Sequence, residues 1–244
     1  MRGVFVMACA VTALAVGCST DGSPQAAEPA QKTGATAEPS SPAKDSGGEV
    51  RYLALGDSVT QGVGAPDEAT GSFPALVAER WRADGCEVEL QNAGISGYTA
   101  GQILAEQVPQ IESFAPTLIT FQAGGNDIVN GVSIDEYRNN VRSVLDSATG
   151  SGARVIVLAQ NEWFRSPTGV SYVGDDGAAQ RSTFDDVLIM EASAHGAEFV
   201  DMRPLYAEQA EQGQWVEDGI HPTPEAYEAW AEKLSEAVPA PCKS

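Results

Sequence analysis

The segment Val50-Arg51-Tyr52-Leu53-Ala54-Leu55-Gly56-Asp57-Ser58-Val59-Thr60-Gln61-Gly62 holds a short apolar run that gives way abruptly to turn residues. A run of this length closed by glycine reads as a buried strand. Gly, Asp and Ser all favour turns, so the strand ends in a loop carrying a carboxylate and a hydroxyl.

Outward from this segment, helical and extended patterns alternate. Phe73 to Ala83 reads as a helix, with Ser72 at its N-cap and Pro74 in its first turn. Glu87 to Leu90 is a second strand. Thr99 caps a helix that runs through Val108 and is stopped by Pro109. Thr117 to Phe121 is the third strand, and Ser133 with Glu136 forms a capping-box pattern before a helix to about Ala148. Arg154 to Ala159 is the clearest strand; a helix from Ala178 to Ala194, ending at Gly196, leads to the strand Glu198-Phe199-Val200. Thr223-Pro224-Glu225 opens a last helix to Ala237. Strand and helix in this order predict an α/β fold, a three-layer α/β/α sandwich around a mainly five-stranded parallel sheet. Active sites of such sheets lie beyond the carboxyl ends of the strands.

The chain has 244 residues, with 14 Lys+Arg against 34 Asp+Glu and a net charge of −20. Phosphate recognition needs a basic patch, so nucleic acid is excluded as the main partner. The apolar residues are unevenly spread. Val4 to Val16 is apolar apart from Thr12, and Arg2 is the one charge before Asp21. A run so short is expected to be a secretory signal, not a membrane span. It ends in Ala15-Val16-Gly17-Cys18, which resembles the bacterial lipobox, with Ala15 where Leu is commonest. The resemblance implies that residues 1–17 are removed and that Cys18 is lipidated, which holds the protein on the outer side of a bacterial membrane. The alternative is an ordinary cleaved signal and a secreted protein. Residues 18–48 contain no Val, Ile, Leu, Met, Phe, Tyr or Trp and are expected to be a disordered tether. The folded domain is expected over 49–244. Its two cysteines, Cys86 and Cys242, either pair in an oxidising compartment or stay as unrelated thiols.

Four loops carry chemistry: Gly56-Asp57-Ser58-Val59, Asn92-Ala93-Gly94-Ile95-Ser96-Gly97, Gly124-Gly125-Asn126-Asp127 and Asp218-Gly219-Ile220-His221. Each follows a predicted strand or precedes the last helix. In this order they resemble the SGNH hydrolase superfamily of GDSL-type esterases and lipases, from Val50 onward. The resemblance implies that fold, with Ser58, Gly94, Asn126 and His221 as signature residues and Asp218 as the acid. The first block reads Gly-Asp-Ser-Val where Leu is usual.

The residues support the same chemistry. A serine hydroxyl needs a base within reach. The chain has two histidines, and His195 precedes Gly196 at a predicted helix end, where a structural role suits it. His221 is then the base, oriented by Asp218 three residues earlier. The backbone N–H groups of Ser58 and Gly94 and the Asn126 amide are the expected oxyanion donors. Asp57 and Asp127 are expected to order their turns. The loop from Asn161 to Asp176 should border the site, with Trp163 and Phe164 as candidate substrate contacts or, alternatively, as packing under the loop. No metal or cofactor is called for, since metal-ligand spacings are lacking. The substrate is expected to be a small-molecule ester, or an acylated sugar or lipid, and the protein a monomer. Acyl transfer on the same scaffold, or ligand binding without catalysis, are the alternatives.

Overall fold

The computed structural model describes residues 49–243. The expected signal, Cys18 anchor and tether lie outside the described residues.

Five strands form the sheet: β1 (Glu49–Leu55), β2 (Glu87–Asn92), β3 (Leu118–Phe121), β4 (Arg154–Leu158) and β5 (Glu198–Val200). Their order is β2-β1-β3-β4-β5, and every neighbouring pair is parallel. Leu53 sits at the centre, paired with Gln91 on one side and Ile119 on the other. Alternation along β1 divides the core in two. Leu53 and Leu55 pack with Ile103, Tyr137, Val141 and Leu188, whereas Tyr52 and Ala54 pack with Phe73, Trp81, Tyr206 and Trp230.

The helices number as follows along the chain. After β1 come the short α1 (Ser58–Gln61) and α2 (Glu68–Gly71), then α3 (Phe73–Ala83). Between β2 and β3 lie α4 (Ala100–Gln102) and α5 (Gln110–Phe114); β3 is followed by α6 (Gly125–Val129) and α7 (Ile134–Gly150). Then come α8 (Val170–Val173), α9 (Gly177–Ala194), α10 (Arg203–Glu211) and α11 (Pro224–Ala237). The α4–α5 segment, α7 and α9 cover one face, and α3, α10 and α11 the other. This is the expected three-layer architecture.

Besides the short helical turns α1, α2, α6 and α8, two segments differ from expectation. The capping box of Thr99 and Gln102 forms, but the chain then widens into a π-helical turn, Ile103–Gln107, and continues past Pro109 into α5. Pro109 lacks an N–H to donate, and the wide turn, with Val108 N donating to Ile103 O, accommodates it without ending the helical path. The second difference is α10, which has no counterpart among the expected helices. Pro204 falls in its first turn, and Tyr206 and Gln209 are the residues it buries.

A disulfide joins Cys86, just before β2, to Cys242, with 5.6 Å between Cα atoms. It ties the last turn of the chain to the sheet edge across a separation of 156 residues. Closing so long a loop limits the unfolded chain, by up to about 5 kcal/mol in the chain-entropy model. Cys242→Ser is therefore expected to lower the urea midpoint markedly relative to the oxidised parent. Equal midpoints for the two would show that the crosslink contributes nothing.

Candidate active site

β1 is the strand at which the order of connection reverses, since β2 lies on one side of it and β3 on the other. A crevice therefore opens beyond the carboxyl ends of β1 and β3. Ser58, Asn126 and His221 all line a cleft there, together with Asp57, Gly97, Asn161, Trp163 and Ile220. The cleft has a volume of about 140 Å³.

Ser58 is the first residue of α1. Its N–H therefore has no partner within the helix and faces the end of the dipole that favours negative charge. Asp57 is the N-cap, and its Oδ1 accepts from Val59 N at 3.0 Å. The loop is also held from below. Gln107, fully buried in the π-helical turn, accepts from Gly56 N at 2.9 Å and donates to Gly56 O at 2.8 Å. That two-bond clamp fixes the backbone two residues before the serine.

His221 and Asp218 share a tight loop. The His221 ring Nδ1–H donates to Asp218 Oδ2 at 2.6 Å, while Asp218 Oδ1 accepts from Ile220 N at 2.9 Å and His221 N at 3.0 Å. Partial burial pushes the Asp218 carboxyl up, but the bonds from the His221 and Ile220 groups outweigh it and leave it below the usual carboxylate range. The ring is thereby turned so that Nε2 is its remaining nitrogen. Ser58 and His221 line the same cleft, but no hydrogen bond joins them among the described residues. His195 lies elsewhere, at the end of α9, where its ring nitrogens contact Glu191 O and Asp146 Oδ1.

Asn126, in the first turn of α6, donates from Nδ2 to Tyr98 O at 3.0 Å and more weakly to Asp57 Oδ2 at 3.4 Å. Gly94 is not brought into the cleft. Its N–H donates to Asn92 Oδ1 at 3.0 Å, and a Cβ there would lie 2.4 Å from Gln61 N. It is glycine because it packs against the backbone of α1, not because it meets substrate. Gly97, three residues on, does line the cleft and has φ +85°, a left-handed conformation that suits glycine. The loop bearing it is pinned where Ser96 N donates to Gln61 Oε1 at 2.7 Å.

The candidate aromatic wall divides. Trp163 lines the cleft and donates from Nε1 to Gln160 Oε1 at 3.2 Å. Phe164 does not line it; the ring turns into the core, against Gly177 and beside Trp163. Asp127, expected to order its own turn, takes its own backbone N–H and also reaches across the fold: both its oxygens accept from Ala100 N, at 3.0 and 3.2 Å. Asn161, which sequence reasoning placed only at the start of a bordering loop, proves to be part of the cleft wall.

Residues 54–229 match the model of the GDSL-like lipase/acylhydrolase family, and the chain belongs to that family. It is a GDSL-type ester hydrolase of the SGNH superfamily. It is 27% identical over 190 residues to an arylesterase of Vibrio mimicus, which covers 77% of this chain and 88% of that one. It is also 27% identical over 172 residues to the esterase TesA of Pseudomonas aeruginosa, covering 70% and 78% of the two chains. A crystal structure of TesA superposes with a TM-score of 0.65 at 27% identity, over 78% of this chain and 98% of that one. An acetylxylan esterase of Geobacillus stearothermophilus has the same fold, with a TM-score of 0.63 at 19% identity, over 79% and 94% of the chains.

Burial acts on the other acids of the site in the opposite sense to Asp218. Burial raises Asp57 from 3.8 to about 6 against the pull of the Val59 N–H and the His221 charge. Burial likewise raises Asp127 from 3.8 to about 6 although Ala100 N–H donates to it. A carboxyl raised in the folded state binds its proton more tightly there than in the unfolded chain. Its contribution to stability is therefore complete below pH 3.8 and is lost as pH rises through about 6. Asp127→Asn, which keeps an acceptor for Ala100 N–H, is expected to flatten the fall in urea midpoint between pH 4 and pH 7. An unchanged slope would contradict the placement of Asp127 as a buried titrating acid.

Proposed function

We propose that this protein is an exported serine esterase for short acyl esters. Ser58 attacks the ester carbonyl, and His221 Nε2 takes its proton and later returns it to the leaving alcohol. Asp218 holds the ring and stabilises the imidazolium that forms. The acyl group passes to Ser58 Oγ, and water, activated by the same His221, then releases the acid. The observation that carries this is the hold of Asp218 on His221, two bonds to that residue and a third to Ile220 N, on a cleft shared with Ser58.

Three donors suit the oxyanion. Ser58 N–H is unpaired within α1, Gly97 N–H takes the part that Gly94 is placed too far back to play, and Asn126 Nδ2 supplies the third. The long bond from Asn126 to Asp57 Oδ2 is the one that an oxyanion would replace, since the bond to Tyr98 O already fixes the amide. The cleft volume of about 140 Å³ is well under the roughly 300–1,000 Å³ of sites that enclose drug-sized ligands, which favours short acyl groups.

Ser58→Ala is expected to abolish cleavage of p-nitrophenyl acetate, and Asn126→Ala to lower kcat by about 10²–10³. The parent is expected to cleave acetate and butyrate esters faster than laurate. Residual activity of Ser58→Ala equal to the parent would end the serine mechanism, and a preference for laurate would end the short-acyl reading.

Two features support an exported location. The Cys86–Cys242 bridge suits an oxidising space, and the Cys18 context suits a lipid anchor there. The mature protein from a bacterial host is expected to have an intact mass that starts at Cys18 and includes acyl chains. A mass with unmodified Cys18 would leave a secreted protein.

A further inference from the structure

Asn161 follows β4 and belongs to neither the proposed triad nor the oxyanion donors. The residue is 4% exposed and lines the cleft with Ser58, Trp163, Ile220 and His221. Its Nδ2 is sealed from solvent and has no hydrogen-bond partner among the described residues. Buried amide hydrogens are nearly always paired in folded proteins, so an unpaired amide on a residue of the cleft wall points to an acceptor that arrives with a ligand.

The position of Asn161 is not a consequence of a slack loop. The backbone of Gln160 is held at both its polar groups: Gln160 N donates to Asp185 Oδ1 at 3.2 Å, and Gln160 O accepts from Arg181 Nη2 at 2.7 Å. Arg181 and Asp185 are themselves a buried pair at 2.8 Å. On the far side of Asn161, the Glu162 carboxylate lies 3.5 Å from both Arg181 and Arg165. Burying charge is costly, and here the buried charges brace the residues on each side of one neutral amide. Bracing of that kind is what a preorganised binding group requires.

The neighbours of Asn161 limit what it can meet. Trp163 and Ile220 offer apolar surface, so Asn161 supplies the polar contact on that wall. Its amide is uncharged, and Asp57 and the strongly acidic chain disfavour an anionic partner. We propose that the Asn161 amide is a specificity-determining group that donates a hydrogen bond to an uncharged oxygen of the ester, outside the scissile carboxyl group. An ether, hydroxyl or carbonyl oxygen on the substrate satisfies it; a hydrocarbon ester leaves it unpaired. This rests on the short-acyl esterase reading and names what that site selects.

Two pairs of matched esters test it. p-Nitrophenyl methoxyacetate and p-nitrophenyl butyrate differ by an oxygen in place of a methylene on the acyl side. 2-Methoxyethyl acetate and butyl acetate differ in the same way on the alcohol side. Within each pair the ratio of kcat/KM is measured for the parent and for Asn161→Leu and Asn161→Ala, so that intrinsic ester reactivity cancels between proteins. The preference for the oxygen-bearing ester is expected to fall about tenfold in one pair, which also identifies the side that Asn161 reads. Ratios unchanged in both pairs overturn the proposal. Labelling of Ser58 by a fluorophosphonate shows that each variant is folded with a competent nucleophile. Should Leu and Ala variants fail that check, Asn161→Asp, which keeps the shape but lacks the amide hydrogens, carries the same comparison. A parent that cleaves none of the four esters would instead sink the esterase reading.

Discussion

Each strand of the sheet runs parallel to its neighbours, so each delivers the loop after it to the same edge. The rest of the site depends on that constraint. β1 brings Asp57 and Ser58, β3 brings Asn126, and β4 brings Asn161 and Trp163 to one cleft. Loops alone would hold such groups poorly, and here each is tied down by a polar side chain from another element. Gln107 clamps Gly56, Asp127 holds the start of α4, and Asn92 Nδ2 donates to Thr60 O at 2.7 Å behind the nucleophile loop. Arg181 and Asp185 do the same for Gln160. The cost is visible in the acids: burial raises Asp57, Asp127 and Asp185 alike to about 6. Stability near neutral pH is given up so that the loops stay in place.

The two carboxylates nearest the chemistry show how environment assigns roles. Asp218 is partly exposed and accepts two backbone N–H groups and the His221 ring, so its charged form is favoured. Asp57 is buried beside Ser58, and burial outweighs its backbone donors, so its charged form is disfavoured. A permanently ionised partner is what an imidazolium needs in the transition state. Asp57 caps α1 and receives the Asn126 amide.

Much of this was legible in the residues. The strands were readable because buried parallel strands are continuous apolar runs, as at Val155-Ile156-Val157-Leu158. Ser58, His221 and Asp218 are legible as candidates because few residues can serve as nucleophile, base and acid, and the loops hold them. What was not legible depended on packing. Asn92-Ala93-Gly94-Ile95-Ser96-Gly97 offers two glycines, and only the fold shows that Gly94 presses on Gln61 while Gly97 opens to the cleft. Trp163 and Phe164 are equivalent as letters, yet the short 3₁₀ turn Trp163–Arg165 sends one ring to the cleft and the other to the core. The helix α10 was hidden because it follows β5 directly and buries a narrow face through Tyr206 and Gln209. The braces of Asn161 come from α9, about twenty residues away in sequence, and no local pattern links them.

The proposed mechanism requires that Ser58, presented at the start of α1, is the nucleophile of this cleft. Reaction with a fluorophosphonate followed by peptide mapping tests it directly. A single adduct is expected on the peptide that contains Ser58, formed far more slowly in His221→Ala. An adduct on another serine, or labelling that is indifferent to loss of His221, would contradict it.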